Sequence, residues 1–219
     1  MLVTMHTSHS TGTSSGESSG SKSFESICGI TIAIFAAVLA INELGAGKFG
    51  DDEILGANER ASAYAWYQSK SIKESLAEGQ RDLLQSLMKS GAIQAHAQKG
   101  IQSQIDSFDV EAKRYQQEKK EILLGSSAMP KEQWRVESGG VKGKVVGAQE
   151  WEKKLELLSI AGDRFDLATL FLQLCLVIGA ISLVLREKKT VQNFYRVMIA
   201  LGILGAVFSV YGYFIALKI

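Results

Sequence analysis

Few side chains in this sequence are of the kinds that react or bind metals at close spacing. The whole supply of histidine is His6, His9 and His96. His6 and His9 could hold a transition metal loosely, but no Cys/His/Asp set has the spacing of a built metal site. Only His96 falls in a region patterned to fold, so no Ser-His-Asp arrangement suggests itself. Two glycine-rich stretches carry a lysine where a phosphate loop would, residues 139–144 (GGVKGK) and 45–50 (GAGKFG). Both fail the pattern G-x-x-x-x-G-K-[ST]. The first has Ser138 and Val145 at its required ends, the second Asn42 and Phe49. Glu43 closes one apolar run, and Asp163, Arg164 and Asp166 open another. An acid inside a membrane can mark an ion or proton path. At the end of a span it more commonly reaches headgroup water or pairs with a cation such as Arg164. The expectation is no catalytic, cofactor-binding or metal residue, and no enzyme.

Two further groupings could serve recognition. Tyr64, Trp66, Tyr67, Lys70 and Lys73 bring aromatics and cations together, the residue types that anchor interfaces. The alternative is plain helix packing, with Tyr64 and Tyr67 on one flank and both lysines solvated. Trp66 falls on another face and needs its own burial partner, which an interface between protomers would supply. The second grouping is Ile101, Ile105, Phe108, Ala112, Tyr115, Lys119 and Ile122, stepping by 4, 3, 4, 3, 4 and 3. That is a heptad seam, the pattern of a helix lying along a partner helix, with Lys119 its one charged member.

The elements that must position these residues follow from three long apolar runs, residues 27–44, 167–185 and 197–217. Each comes close to the ~20 apolar residues needed to cross a hydrocarbon core of roughly 30 Å. Backbone polar groups in lipid must be satisfied internally, so such runs must be helices. The fold class expected is an all-α membrane protein. Three transmembrane helices carry a long antiparallel helical-hairpin or coiled-coil domain between spans one and two. The divisions are a disordered Ser/Thr/Gly-rich tail (1–23), span one (24–46), a water-exposed helical domain (47–165), span two (166–186), a basic turn (187–195) and span three (196–219). The first run is read as a retained anchor rather than a signal peptide. Its leader is long and nearly uncharged, and no clean A-x-A site follows it.

Within the helical domain, GAGKFGDD is expected to interrupt the helix, with a new one running from about Asp52 to Lys89. Its apolar positions Ile54, Ala61, Ala65, Ile72, Leu76, Leu83 and Leu87 form a drifting stripe that Gly56 and Gly79 weaken. Ser90 and Gly91 stop it, and Gly125 stops the seam helix. Residues 125–148 read as a glycine-rich loop with a small hairpin turning at Gly139 and Gly140. From about Gln149 a helix of roughly 58 Å would run into span two, at 1.5 Å per residue. Small residues line Gly29, Ala33 and Ala37 in span one, and Gly205 and Ser209 in span three. They suit either the bundle or a homo-oligomer.

A net charge of +1 over 219 residues argues against a nucleic-acid partner. Cys28 and Cys175 both fall inside spans and report nothing about redox compartment. Arg186, Lys188, Lys189 and Arg196 in the short connection favour a cytoplasmic turn. Residues 45–165 are then extracytoplasmic. Lys48, Arg60, Lys153, Lys154 and Arg164 near the ends of that long excursion count the other way.

Residues 47–76 (GKFGDDEILGANERASAYAWYQSKSIKESL) resemble a bacterial membrane family known as domain of unknown function 4337. The match is closest from Ala63 to Lys73 (AYAWYQSKSIK), which is similar to the family's A-W-A-x-Y-Q-A-K-S-I-K. The resemblance implies one N-terminal span, a charged helical middle and a C-terminal pair of spans in a bacterial inner membrane. It implies no catalytic residue. The functional expectation is a membrane scaffold or accessory subunit, held in lipid and associating with itself or with a membrane-complex partner. The rival is an oligomeric transport or channel-like protein.

Overall fold

A computed structural model describes residues 18–185 and 187–218, with side chains from Phe24 onward. Four helices make up most of it: α1 (Ser18–Lys89), α2 (Ala95–Leu124), α3 (Ala148–Val184) and α4 (Lys188–Ala216). Between α2 and α3 the chain forms two single 3-10 turns. An antiparallel ribbon of β1 (Glu137–Ser138) and β2 (Val141–Lys142) follows, turning at Gly139 and Gly140. The all-helical class is found, and α1, α3 and α4 are each long and apolar enough to cross a membrane. Residues 1–17, which hold most of the expected disordered tail along with His6 and His9, lie outside the described residues. From Ser18 the chain is helical.

The expected break at GAGKFGDD does not occur, and α1 runs through it without interruption. Each glycine costs a helix only about 1 kcal/mol relative to alanine, and no proline removes a donor from the hydrogen-bond ladder. Packing outweighs that cost. Asn42, Gly45 and Phe49, three and four residues apart, are all buried along this stretch. Burial on α1 recurs every seven residues, at Asn42, Phe49, Gly56, Ala63, Lys70 and Ala77, with Lys70 half-buried and the others buried. The apolar stripe noted in the sequence lies elsewhere on the same helix and is exposed: Ile54 is 64% accessible, Ile72 69% and Leu83 61%. A second difference concerns the basic segment. α4 opens at Lys188, so Lys188, Lys189 and Arg196 sit in its first turns rather than in a loop.

The chain divides into two compact units. One combines α1 up to Ala46, α3 from Arg164 and α4 up to Tyr211. Its core is Cys28, Cys175 and Met198, ringed by Ile32, Phe35, Ile178 and Tyr195. Gly205 lets its helix approach Leu172 so closely that a Cβ would lie 2.6 Å from the leucine Cγ. Gly205 therefore serves this packing and Ser209 on the same helix is buried, whereas a Cβ on Gly29 would meet nothing within 4 Å and Ala33 and Ala37 are exposed.

The other unit comprises Gly47–Asp163 together with the residues from Gly212 on. Phe49 meets Tyr213 edge-on at 6.1 Å, and Gly56 admits Leu155 and Trp151 of α3. In the loop, a Cβ on Gly147 would overlap the Gly125 backbone.

Two glycines thus make opposite predictions. Gly47 faces open space inside α1, so Gly47→Ala should raise stability by about 1 kcal/mol. Gly147→Ala should lower it, because neither backbone can yield. Thermal unfolding of the purified protein in detergent checks both signs.

Candidate functional site

The residues singled out for recognition sit mostly where α1 faces α2 and the loop beyond it. Of the seam, Ile105, Ala112 and Ile122 are buried, while Ile101, Phe108, Tyr115 and Lys119 are half-buried. The residues opposite them on α1 are largely polar. Lys70 Nζ lies 2.5 Å from Glu118 Oε2, Arg81 bridges to Asp109 at 3.2 Å, and Lys119 pairs with Glu74. Aromatic faces complete the arrangement: Lys119 lies over Tyr67 at 5.5 Å, and Lys70 over Tyr115 at 5.6 Å. The lysine that departs from the seam's apolar pattern therefore has a carboxylate and a ring waiting for it. Lys70, expected to be solvated, is only 19% exposed at its side chain.

Asp109 is held below the usual carboxylate range, chiefly by its hydrogen bond from Lys113 and then by Arg81. Its contribution to stability is present at neutral pH and fades as pH falls through that lowered value.

Trp66 finds its burial partner within the same chain. With Tyr67 it packs on the cluster of Ile122, Val136 and Val145. The loop's valines supply part of that burial. Tyr64 donates its hydroxyl to Glu152 at 2.8 Å, which raises the phenol above its ordinary value. Four of the five aromatic and basic residues thus spend their chemistry on intramolecular contacts. Lys73 alone is exposed.

The residue that organises the loop was not singled out from the sequence. Glu121, fully buried in the last turn of α2, accepts hydrogen bonds from Ser126 Oγ (2.7 Å), the Arg135 N–H (2.6 Å) and the Val136 N–H (2.9 Å). Ser126 extends the lock, exchanging backbone and side-chain bonds with Val145 and accepting the Trp134 indole N–H at 2.9 Å on its carbonyl. One signal could have exposed Glu121. An acid in the last helical turn opposes the helix dipole and needs a local reason to be there.

A second polar group lies in the unit that contains the apolar segments. Asn42, fully buried, donates to the Phe165 carbonyl at 3.1 Å and to Thr169 Oγ1 at 2.9 Å. Thr169 in turn donates to Glu43 at 3.0 Å. Glu43 therefore binds a threonine hydroxyl where a pair with Arg164 was envisaged. The Arg164 guanidinium lies over Tyr211 at 5.8 Å. A shallow cavity of about 320 Å³ is lined by Glu53, Arg60, Glu152 and Glu156 among others. No group of His, Cys, Asp and Glu among the described residues is arranged to hold a metal ion.

Two outcomes follow. Lys119→Glu sets like charges together in a desolvated setting and should cost about 3 kcal/mol, with Lys119→Glu/Glu74→Lys recovering more than half. Glu121→Gln should cost about 2–3 kcal/mol by unpairing buried backbone donors. Faster tryptic cleavage after Arg135 or Lys142, in otherwise folded protein, would report the released loop.

No curated protein and no solved structure matches this chain. A family model described as "Domain of unknown function (DUF4337)" matches residues 24–215, which takes in the apolar segments, the ion-paired helices and the locked loop. The chain belongs to that family.

Proposed function

We propose that this protein is an integral membrane scaffold or accessory subunit without catalytic activity. In this reading α1, α3 and α4 each cross the bilayer once, and α1 and α2 form an antiparallel hairpin displayed outside the cytoplasm. The observation that carries it is the order of contacts between α1 and α2. Trp66 and Tyr67 meet Ile122, Lys70 meets Glu118, and Arg81 meets Asp109. Partners on α2 move back toward its start as those on α1 advance, which supports an antiparallel pair. Such ion pairs in a half-buried setting fix register more than they add stability. A hairpin of set register, joined to apolar helices, suits presentation of a rigid surface to a protein partner.

A second reading has one observation in its favour. The chain of Asn42, Thr169 and Glu43 places hydrogen-bonding groups beside apolar helices, where polar side chains often mark a pathway. Ion flux in proteoliposomes that is lost in Glu43→Ala would make transport the better account.

The scaffold reading is tested by topology. Single cysteines replace the exposed Ser103 or Gln116 in a protein whose Cys28 and Cys175 are serine, and intact cells receive a membrane-impermeant thiol reagent. Labelling before lysis is the expected result. Labelling only after lysis would put the hairpin in the cytoplasm. Failure to label even in opened membranes would overturn a water-exposed hairpin altogether.

A further inference from the structure

The seven-residue face of α1 is occupied by its own chain, but the opposite face carries a different period and leaves its large apolar side chains exposed. Ile54, Ala65, Leu76 and Leu87 stand eleven residues apart, and Ala61, Ile72 and Leu83 repeat the same interval beside them. All seven are exposed, with Leu76 at 59% and Leu87 at 40%. An eleven-residue repeat is one of the patterns by which helices pack along one another, at 3.67 residues per turn with little supercoil. Within each eleven, the positions three, four and seven after the first complete the face. None of them is Asp, Glu, Lys or Arg from Ile54 to Leu87. Elsewhere on this stretch charges are dense, with Glu59, Arg60, Lys70, Lys73, Glu74, Glu78, Arg81 and Asp82 all off the face. Asn58, Ser69 and Gln80 occupy the position four after each of the first three.

We infer that this face is a self-association surface, on which a second copy of the chain lays its own α1 in parallel. The inference rests on the membrane reading above. Two copies inserted in the same sense can pair α1 with α1 only in parallel, which sets like residue against like residue. Identical charges would repel across such a contact. A face free of charge meets that condition, and its neutral amides can both donate and accept toward their own copies. Amides of this kind are known to set register in paired helices.

The size of the face also suits a partner confined to the same bilayer. It is roughly 50 Å long at 1.5 Å per residue and about 10 Å wide. That offers on the order of 500 Å² per copy, below the ~800 Å² per partner of a stable soluble complex. Two copies held in one membrane meet at a high effective concentration, which offsets the smaller area.

The test is oxidative cross-linking of the full-length chain in native membranes, again with Cys28 and Cys175 replaced. Ala65→Cys should form a disulfide-linked dimer, and the exposed Gln116→Cys on α2 should not. Adding Leu76→Glu should lower the Ala65→Cys cross-link at least tenfold. Because Leu76 is exposed, helicity and melting temperature should stay close to those of the parent, separating lost contact from lost fold. Absence of the Ala65→Cys dimer would overturn the surface. So would equal cross-linking from Gln116→Cys, or a cross-linked product of the wrong mass for two copies. If Ser103→Cys is still labelled in the topology experiment, the scaffold reading survives that result. If it is not labelled even in opened membranes, both fall together.

Discussion

Lys119 stands in a seam otherwise built from apolar and aromatic residues, and Glu74 is the reason α2 can place it there. A lone ammonium at that depth would cost several kcal/mol in lost hydration. With Glu74 beside it and Tyr67 beneath it, the cost becomes a condition on alignment. Slide α2 by one turn and both Lys119 and Glu118 lose their partners at once. Apolar contacts alone would tolerate such a slip, since one aliphatic side chain replaces another at modest expense. The aromatic cluster around Ile122 and the loop that closes over it sit where they do because this alignment has been set.

The two faces of α1 explain how much could be read in advance. The apolar segments were legible because a single rule, length at high hydropathy, identifies them. The α2 seam was legible because its members are large and apolar at heptad spacing. The face that α1 turns toward its own chain was not, since Asn42, Gly56, Ala63 and Lys70 pass unnoticed through any filter for hydrophobic residues. The filter instead selected Ile54, Ile72 and Leu83, which are exposed. Their drift against a seven-residue template is a different repeat, and an eleven-residue ruler removes it. The helix that runs through GAGKFGDD was missed for a related reason. Glycine lowers helix propensity without ending a helix, and buried neighbours decide the outcome.

Small residues divide similarly by context. Gly205 admits Leu172 and brings α4 close to α3, whereas Gly29 stands in a similar small-residue spacing and a Cβ there would meet nothing within 4 Å. Spacing alone cannot separate these cases, because close approach depends on what the neighbouring helix brings to the same level. The loop between α2 and α3 read as glycine-rich with a small hairpin at Gly139 and Gly140; the hairpin is there, and the rest of the loop is a hydrogen-bonded knot. Gly139 and Gly140 supply the positive φ of the turn, whereas Gly143 supplies clearance as well: a Cβ there would overlap the Trp134 ring.

The knot at Glu121 has a consequence for the order in which the chain can fold. Its partners Arg135 and Val136 come 14 and 15 residues later, and Val145, which binds the Ser126 link, comes later still. A ribosome producing the chain from its N-terminus exposes the acid before anything can receive it. During that interval Glu121 is best left in water, and the last turn of α2 stays frayed. Closure then needs only short-range contacts, which form quickly because little loop entropy is lost. The end of α2 is thus completed by the segment that follows it, since the backbone donors that satisfy Glu121 arrive only with Arg135 and Val136.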